Sequence, residues 1–240
     1  MARGYYKYRI VHIFAVFFAI CMVALGLYVD FHPLWYMNLF EKFIIYLAPM
    51  LLLFWDLQIH LKHLPSVGEK RNIQRRMMKM IFLIYIIALA TLLFLGSTFR
   101  AGLAERNIWK VEPFSKDHIK YYLNLELLKS VKMYSSAFVN HTMTLRIIIL
   151  NMVGNLIAFA PFGFFIPVIY SKKINNIFTF VLVVALSCIT MEFIQFITMV
   201  GQADIDDLLL NVMGAVITYL FVHIPPIRKA IHAKLPYGDF

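Results

Sequence analysis

Glu192 and Gln195 lie three residues apart, Asp204, Asp206 and Asp207 crowd four positions, and Asn211 follows four residues later. Upstream, Asn151 and Asn155 repeat the four-residue spacing. Carboxylates and carboxamides on shared helix faces can engage amines or hydroxyls, move protons, or offer oxygens to a divalent cation. The chain has no histidine-rich metal motif, no Gly-x-Ser-x-Gly and no phosphatase-type set of arginine and histidine, so neither a metal nor a cofactor is assigned. A structural reading competes. Asp204 can cap a helix, and first-turn acids gain roughly 0.3–1 kcal/mol each from the helix dipole. That accounts for one or two acids, not for three in a connection with no basic residue, nor for Asn211 a turn deeper.

The elements that hold these residues follow from composition. Of 240 residues 61% are hydrophobic and 15% charged, against about 25% charged in a soluble domain. One globular core cannot bury that excess, which excludes a soluble enzyme. Apolar runs long enough to cross a bilayer occur at 10–29, 43–59, 80–98, 145–170, 177–200 and 207–224. The expected fold is all-α: a polytopic transmembrane bundle of about six spans. The fourth run is interrupted by Pro161, Gly163 and Pro167, which predicts a kink or break. The first, with Arg3, Lys7 and Arg9 ahead and Ala24-Leu25-Gly26 within, also has the form of a signal peptide, although it is long for one. Cys21 and Cys188 lie inside apolar runs and do not read as a disulfide.

The net charge of +10 reads as topology rather than as nucleic-acid binding. Placing the segments before span 1, between spans 2 and 3, between spans 4 and 5 and after span 6 in the cytoplasm puts 14 of the 23 basic residues there. Both termini are then cytoplasmic. The run from Lys70 to Lys79 would meet anionic lipid heads. Between Arg100 and Arg146 lies one long extracytoplasmic loop, where Ile119, Tyr122, Leu123, Leu127, Val131 and Tyr134 approximate the spacing of an amphipathic helix at the outer leaflet. On this topology Asn155, Glu192, Gln195, Asp206, Asp207 and Asn211 all fall in the outer halves of spans 4, 5 and 6. Glu192 lies about 12 Å below the boundary at 1.5 Å per residue. An intramembrane ionisable group costs roughly 2.5–3.5 kcal/mol on insertion scales, so three helices placing such groups at one depth predict an outward-facing acidic pocket. His12 and Asp56 fall near the cytoplasmic ends of spans 1 and 2, where interfacial exposure is the ordinary explanation.

Three blocks in order, Asn155-Leu-Ile-Ala-Phe-Ala-Pro161-Phe-Gly163-Phe-Phe-Ile-Pro167, Glu192-Phe-Ile-Gln195 and Asp204-Ile-Asp206-Asp207-Leu-Leu-Leu-Asn211-Val-Met-Gly214, resemble the VanZ-like family. Val111-Glu-Pro113-Phe114 is similar to a Pro-Phe element that the family carries after its first core helix. The resemblance gives three segments: an N-terminal two-span extension with its basic loop (1–79), a VanZ-like four-helix membrane domain (80–224) and a cytoplasmic tail (225–240). It implies a bacterial integral membrane protein associated with resistance to glycopeptide antibiotics, teicoplanin in particular. Where the family often has an arginine before its Asp-rich motif, this chain has Gly201-Gln202-Ala203.

The expected function is therefore a ligand-binding protein of the cell membrane. Its pocket would comprise Glu192, Asp207, Asn211, Asp206, Asn155, Gln195 and Asp204. Its partners would be membrane lipids, with a lipid-linked cell-wall precursor or a glycopeptide antibiotic as ligand, and no nucleic acid. An intramembrane hydrolase or transferase on a lipid-linked envelope substrate is the alternative, since paired carboxylates can do acid–base work. A transporter ranks third, because no inverted repeat relates the two halves.

Overall fold

The computed structural model describes residues 2–32, 37–94, 115–170, 172–174, 176–198 and 200–237, with backbone alone at 2–8 and 117. Val111 to Phe114 and Arg100 lie outside the described residues. The fold is all-α, and among the described residues six helical segments are long and apolar enough to cross a membrane. Many of their large apolar side chains point outward, as at Phe14, Phe40, Phe178 and Leu182. Such a surface suits lipid.

The chain forms two compact units, Met1–Ala101 with Arg228–Phe240, and Gly102–Ile227. In the first, α1 (Ala2–Phe31), α2 (Leu39–His63) and α3 (Val67–Phe94) pack together. α2 begins with a reciprocal capping box: Asn38 Oδ1 accepts from the Glu41 amide at 3.0 Å, and Glu41 Oε2 accepts from the Asn38 amide at 2.9 Å. The basic run Lys70 to Lys79 continues the helix of span 3 rather than preceding it. After Arg228 the chain returns to this unit, where Leu235 is buried, Lys234 O accepts from Gln58 Nε2 and the Tyr237 amide donates to Gln74 Oε1.

Polar groups join all three helices at one end and α1 to α2 at the other. Lys42 Nζ lies 2.6 Å from Asp30 Oδ1 and donates to Thr91 O, while the Tyr46 hydroxyl donates to Asp30 Oδ2 at 3.0 Å. Asp30, Lys42 and Thr91 are all buried. At the other end Asp56 is only 1% exposed and contacts His12 and His60. The interfacial exposure expected for His12 and Asp56 is thus overturned for Asp56. A carboxylate removed from water needs partners, and α1 supplies one through His12.

The second unit contains α4 (Lys116–Tyr122), β1 (Leu123–Asn124), α5 (Lys129–Val139), α6 (Leu145–Ala158), α7 (Ala160–Tyr170), α8 (Ile177–Thr198), β2 (Ala203–Asp204) and α9 (Ile205–His223). α10 (Pro225–Lys234) follows. The helical spacing from Ile119 to Tyr134 is realised as two helices, divided at β1 and a turn ending on Leu128 with φ 62°. The fourth span breaks at Phe159, two residues before Pro161, because proline has no amide to donate back into the preceding turn.

α9 is the centre of this unit and packs on α6, α7 and α8. Two glycines set that packing. A Cβ on Gly214 would stand 1.7 Å from the Leu156 carbonyl oxygen, and one on Gly163 would stand 2.3 Å from that of Ala215. Both contacts are backbone against backbone, so hydrogen alone fits at these positions. This close approach fixes the registers that carry Asn155 on α6 and Asp207 and Asn211 on α9.

Candidate functional site

The connection from α8 to α9 is held by the loop unit 115–144. β1 and β2 pair in parallel, with Leu123 opposite Ala203 and Asn124 opposite Asp204. In the same register Asn124 Nδ2 donates to Asp204 Oδ1 at 3.0 Å. Asp204 Oδ1 also accepts from the Asp206 amide at 2.9 Å, which makes Asp204 the N-cap of α9. Its second oxygen accepts from the Ser130 hydroxyl. Asp206 grips the start of α5: Oδ1 accepts from the Leu128 amide at 2.6 Å and Oδ2 from the Ser130 amide at 2.9 Å. Both amides belong to a helix end and lack intrahelical partners. Asp206 therefore caps, from a distant helix, a start where Leu128 itself offers no side-chain cap.

These bonds divide the acids into two kinds. Asp204 and Asp206 are buried and saturated by backbone and side-chain donors. Glu192 accepts from the Asp204 amide at 3.2 Å and lies close enough to Asp204 and Asp207 to feel their charge. Asp207 is half-buried, with the Asn155 carboxamide close enough to act on its carboxyl group. One turn deeper, Asn211 is 6% exposed, and its Oδ1 has no hydrogen-bond partner among the described residues. Among the described residues, no lysine, arginine or histidine forms an ion pair with any of the four acids.

Of the seven residues expected at the site, Glu192, Asp204 and Asp206 are joined by hydrogen bonds, Asp207 lies near them with Asn155 beside it, and Asn211 stands one turn deeper on α9. Gln195 stands apart from the hydrogen bonding. Its amide packs on the Gly201 turn, 3.1 Å from where a Cβ would be, and makes no hydrogen bond to the acids. Asn151 is exposed.

Four loop residues were not anticipated. Asn124 and Ser130 bind Asp204, and Tyr134 faces Asp204 and Asp207. Burial first, and then those two negative charges, push the Tyr134 phenol above its ordinary value. His118 is buried, with Nε2 2.9 Å from the Phe196 carbonyl oxygen and its ring edge-on to Phe196 at 4.4 Å. A carbonyl only accepts, so Nε2 carries the proton and His118 caps one of the last free carbonyls of α8. The readable signal was periodicity: Ser130 and Tyr134 are four apart, on one face of α5.

Residues 82–225, 144 of the 240, match the model of the family described as VanZ/LLP1. No curated protein matches the chain, and neither does any solved structure. The matched region contains every acid and carboxamide of the cluster, whereas α1, α2 and the first half of α3 precede it.

Proposed function

The chain belongs to the VanZ/LLP1 family, and from that premise we propose that this multi-pass membrane protein binds a ligand through Glu192 and Asp207. The observation that carries the reading is the division among the acids. Asp204 and Asp206 are occupied in building the site. Glu192 on α8, and Asp207 and the buried Asn211 oxygen on one face of α9, remain as acceptors. Like-charged carboxylates held close, with no cation paired to them among the described residues, favour a ligand that brings positive charge or several donors. An amine-bearing molecule supplies both. Asn155 and Asn211 would orient it, and Tyr134 would close the loop side.

With both termini in the cytoplasm, as the distribution of lysine and arginine favours, the cluster faces the outer leaflet of the cell membrane. There the ligand would be a glycopeptide of the teicoplanin type or a lipid-linked cell-wall precursor, and the activity a contribution to glycopeptide resistance in a bacterium. The test is teicoplanin susceptibility in a sensitive bacterial host making the wild type, Glu192→Gln or Asp207→Asn at matched membrane levels. Wild type should raise the inhibitory concentration and both variants should abolish the rise. Protection by the variants equal to wild type would overturn the assignment.

A further inference from the structure

Outside the family-matched region, α1 and α2 bring three metal-type donors together. Asp56 and His60 are four residues apart, on one face of α2, and His12 reaches them from α1. One ligand atom from each lies within 4.8 Å of the others. His12 Nδ1 is 2.6 Å from Asp56 Oδ2, and the two imidazole rings are 4.6 Å apart. Asp56 Oδ1 and His60 Nδ1 are both buried and face one another at 3.5 Å, and neither has a hydrogen-bond partner among the described residues. That separation is long for a hydrogen bond. It is close to the spacing of two ligands on one tetrahedral zinc: bonds of about 2.0–2.2 Å at the tetrahedral angle put the donors about 3.3–3.5 Å apart.

We propose that His12, Asp56 and His60 form a binding site for a divalent transition-metal ion of the zinc type, joining α1 to α2. The donor set argues for this class. Two imidazoles and one carboxylate suit Zn²⁺ and its neighbours, whereas Mg²⁺ and Ca²⁺ take oxygen ligands. The ion answers two local problems at once. It neutralises a carboxylate that is 1% exposed, and it engages the Asp56 and His60 atoms that now lack partners. The site lies three residues inside the start of the first span and within the last two turns of the second. The His12 side chain is 22% exposed, so an ion can enter there, and water can fill the fourth position.

The experiment uses the full chain in detergent micelles without a polyhistidine tag, stripped with a chelator and titrated with Zn²⁺ against a competing fluorescent chelator. One Zn²⁺ per chain is expected, with affinity falling at least tenfold in His12→Gln and in His60→Gln. Co²⁺ in place of Zn²⁺ should give the visible bands of a tetrahedral site. The chelator-stripped variants are first checked for wild-type helicity and a single elution peak, and if one does not fold the other decides. His141→Asn, which removes an exposed histidine in the other unit, should bind Zn²⁺ as wild type does. Binding weaker than about 10 µM, or binding unchanged in the histidine variants, would overturn the proposal and leave an imidazole–carboxylate hydrogen bond as the whole of the contact.

Discussion

The two units bury charge in opposite ways. In the first, each buried carboxylate among the described residues meets a group able to carry the opposite sign: Asp30 meets Lys42, and Asp56 meets His12 and His60. In the second, four carboxylates gather and are held by amide and hydroxyl donors. Pairing opposite charges makes helices adhere and leaves little electrostatic attraction for anything else. Gathering like charges is unfavourable in itself and survives only where the surrounding structure determines it. The close backbone contacts of Gly214 and Gly163 supply that determination in the second unit. Polarity in the first unit therefore reads as cohesion, apart from the His–Asp–His cluster, and polarity in the second as repulsion contained by the packing around it.

The comparison is broken most directly at the buried pair. Lys42→Met leaves Asp30 as a buried charge without its ammonium, and unfolding in micelles should show a loss of about 3–5 kcal/mol. The double change Asp30→Leu with Lys42→Leu should recover most of it, and an equal loss in the double variant would show that the pair is not what matters. Next comes the close packing of the second unit. Gly214→Ala must push α9 from α6 and should cost about 1–3 kcal/mol by thermal unfolding. Gly154→Ala, with nothing within 4 Å of its Cβ, should be neutral or stabilising by up to about 1 kcal/mol.

Within the acid cluster the contrast is finer. Asp206→Asn leaves one acceptor oxygen for two amides, so one bond is lost and the other loses its charge; the change should cost about 1–3 kcal/mol, with faster hydrogen exchange at the Leu128 and Ser130 amides. Glu192→Gln keeps an acceptor for the Asp204 amide and should change stability by less than about 1 kcal/mol. Equal destabilisation by both would erase the division between building and binding acids. The smallest effect concerns Tyr134. Its raised phenol favours the protonated form, so the associated stability is present below the ordinary value of 10.0 and is lost as pH rises through the folded-state value. Removing a negative charge in Asp207→Asn should shift the tyrosinate absorbance titration of Tyr134 to lower pH, which a Tyr134→Phe difference spectrum isolates.

The six spans were legible because twenty apolar residues in a row leave few alternatives. Glu192, Asp207 and Asn211 were legible because each is expensive in a bilayer and lies at helical spacing from another polar residue, and Asp206 because it adds a further acid to the same connection. The roles within the cluster were not. Asp204 and Asp206 are saturated by Asn124, Leu128 and Ser130, 74 to 80 residues earlier in the chain, and no local pattern encodes contacts at such separation. The same limit hid Asp30 beside Lys42 and His12 beside Asp56. Both members of each pair stood near span ends, where water explains a charge as well as a partner does. The four-residue step from Asp56 to His60 was the local sign that this polarity shared a helix face.

The grip of Asp204 and Asp206 on the loop also bears on chimera design. Segment 115–144 looks like a detachable insert between spans, the natural piece to swap between two relatives. Its fastenings lie elsewhere: Asn124 in register with Asp204, and the first amides of α5 on Asp206. A graft that carries the loop without the Ala203–Asp206 stretch would lose its anchor and report misfolding as altered specificity. The unit of exchange is the loop together with the first turn of α9.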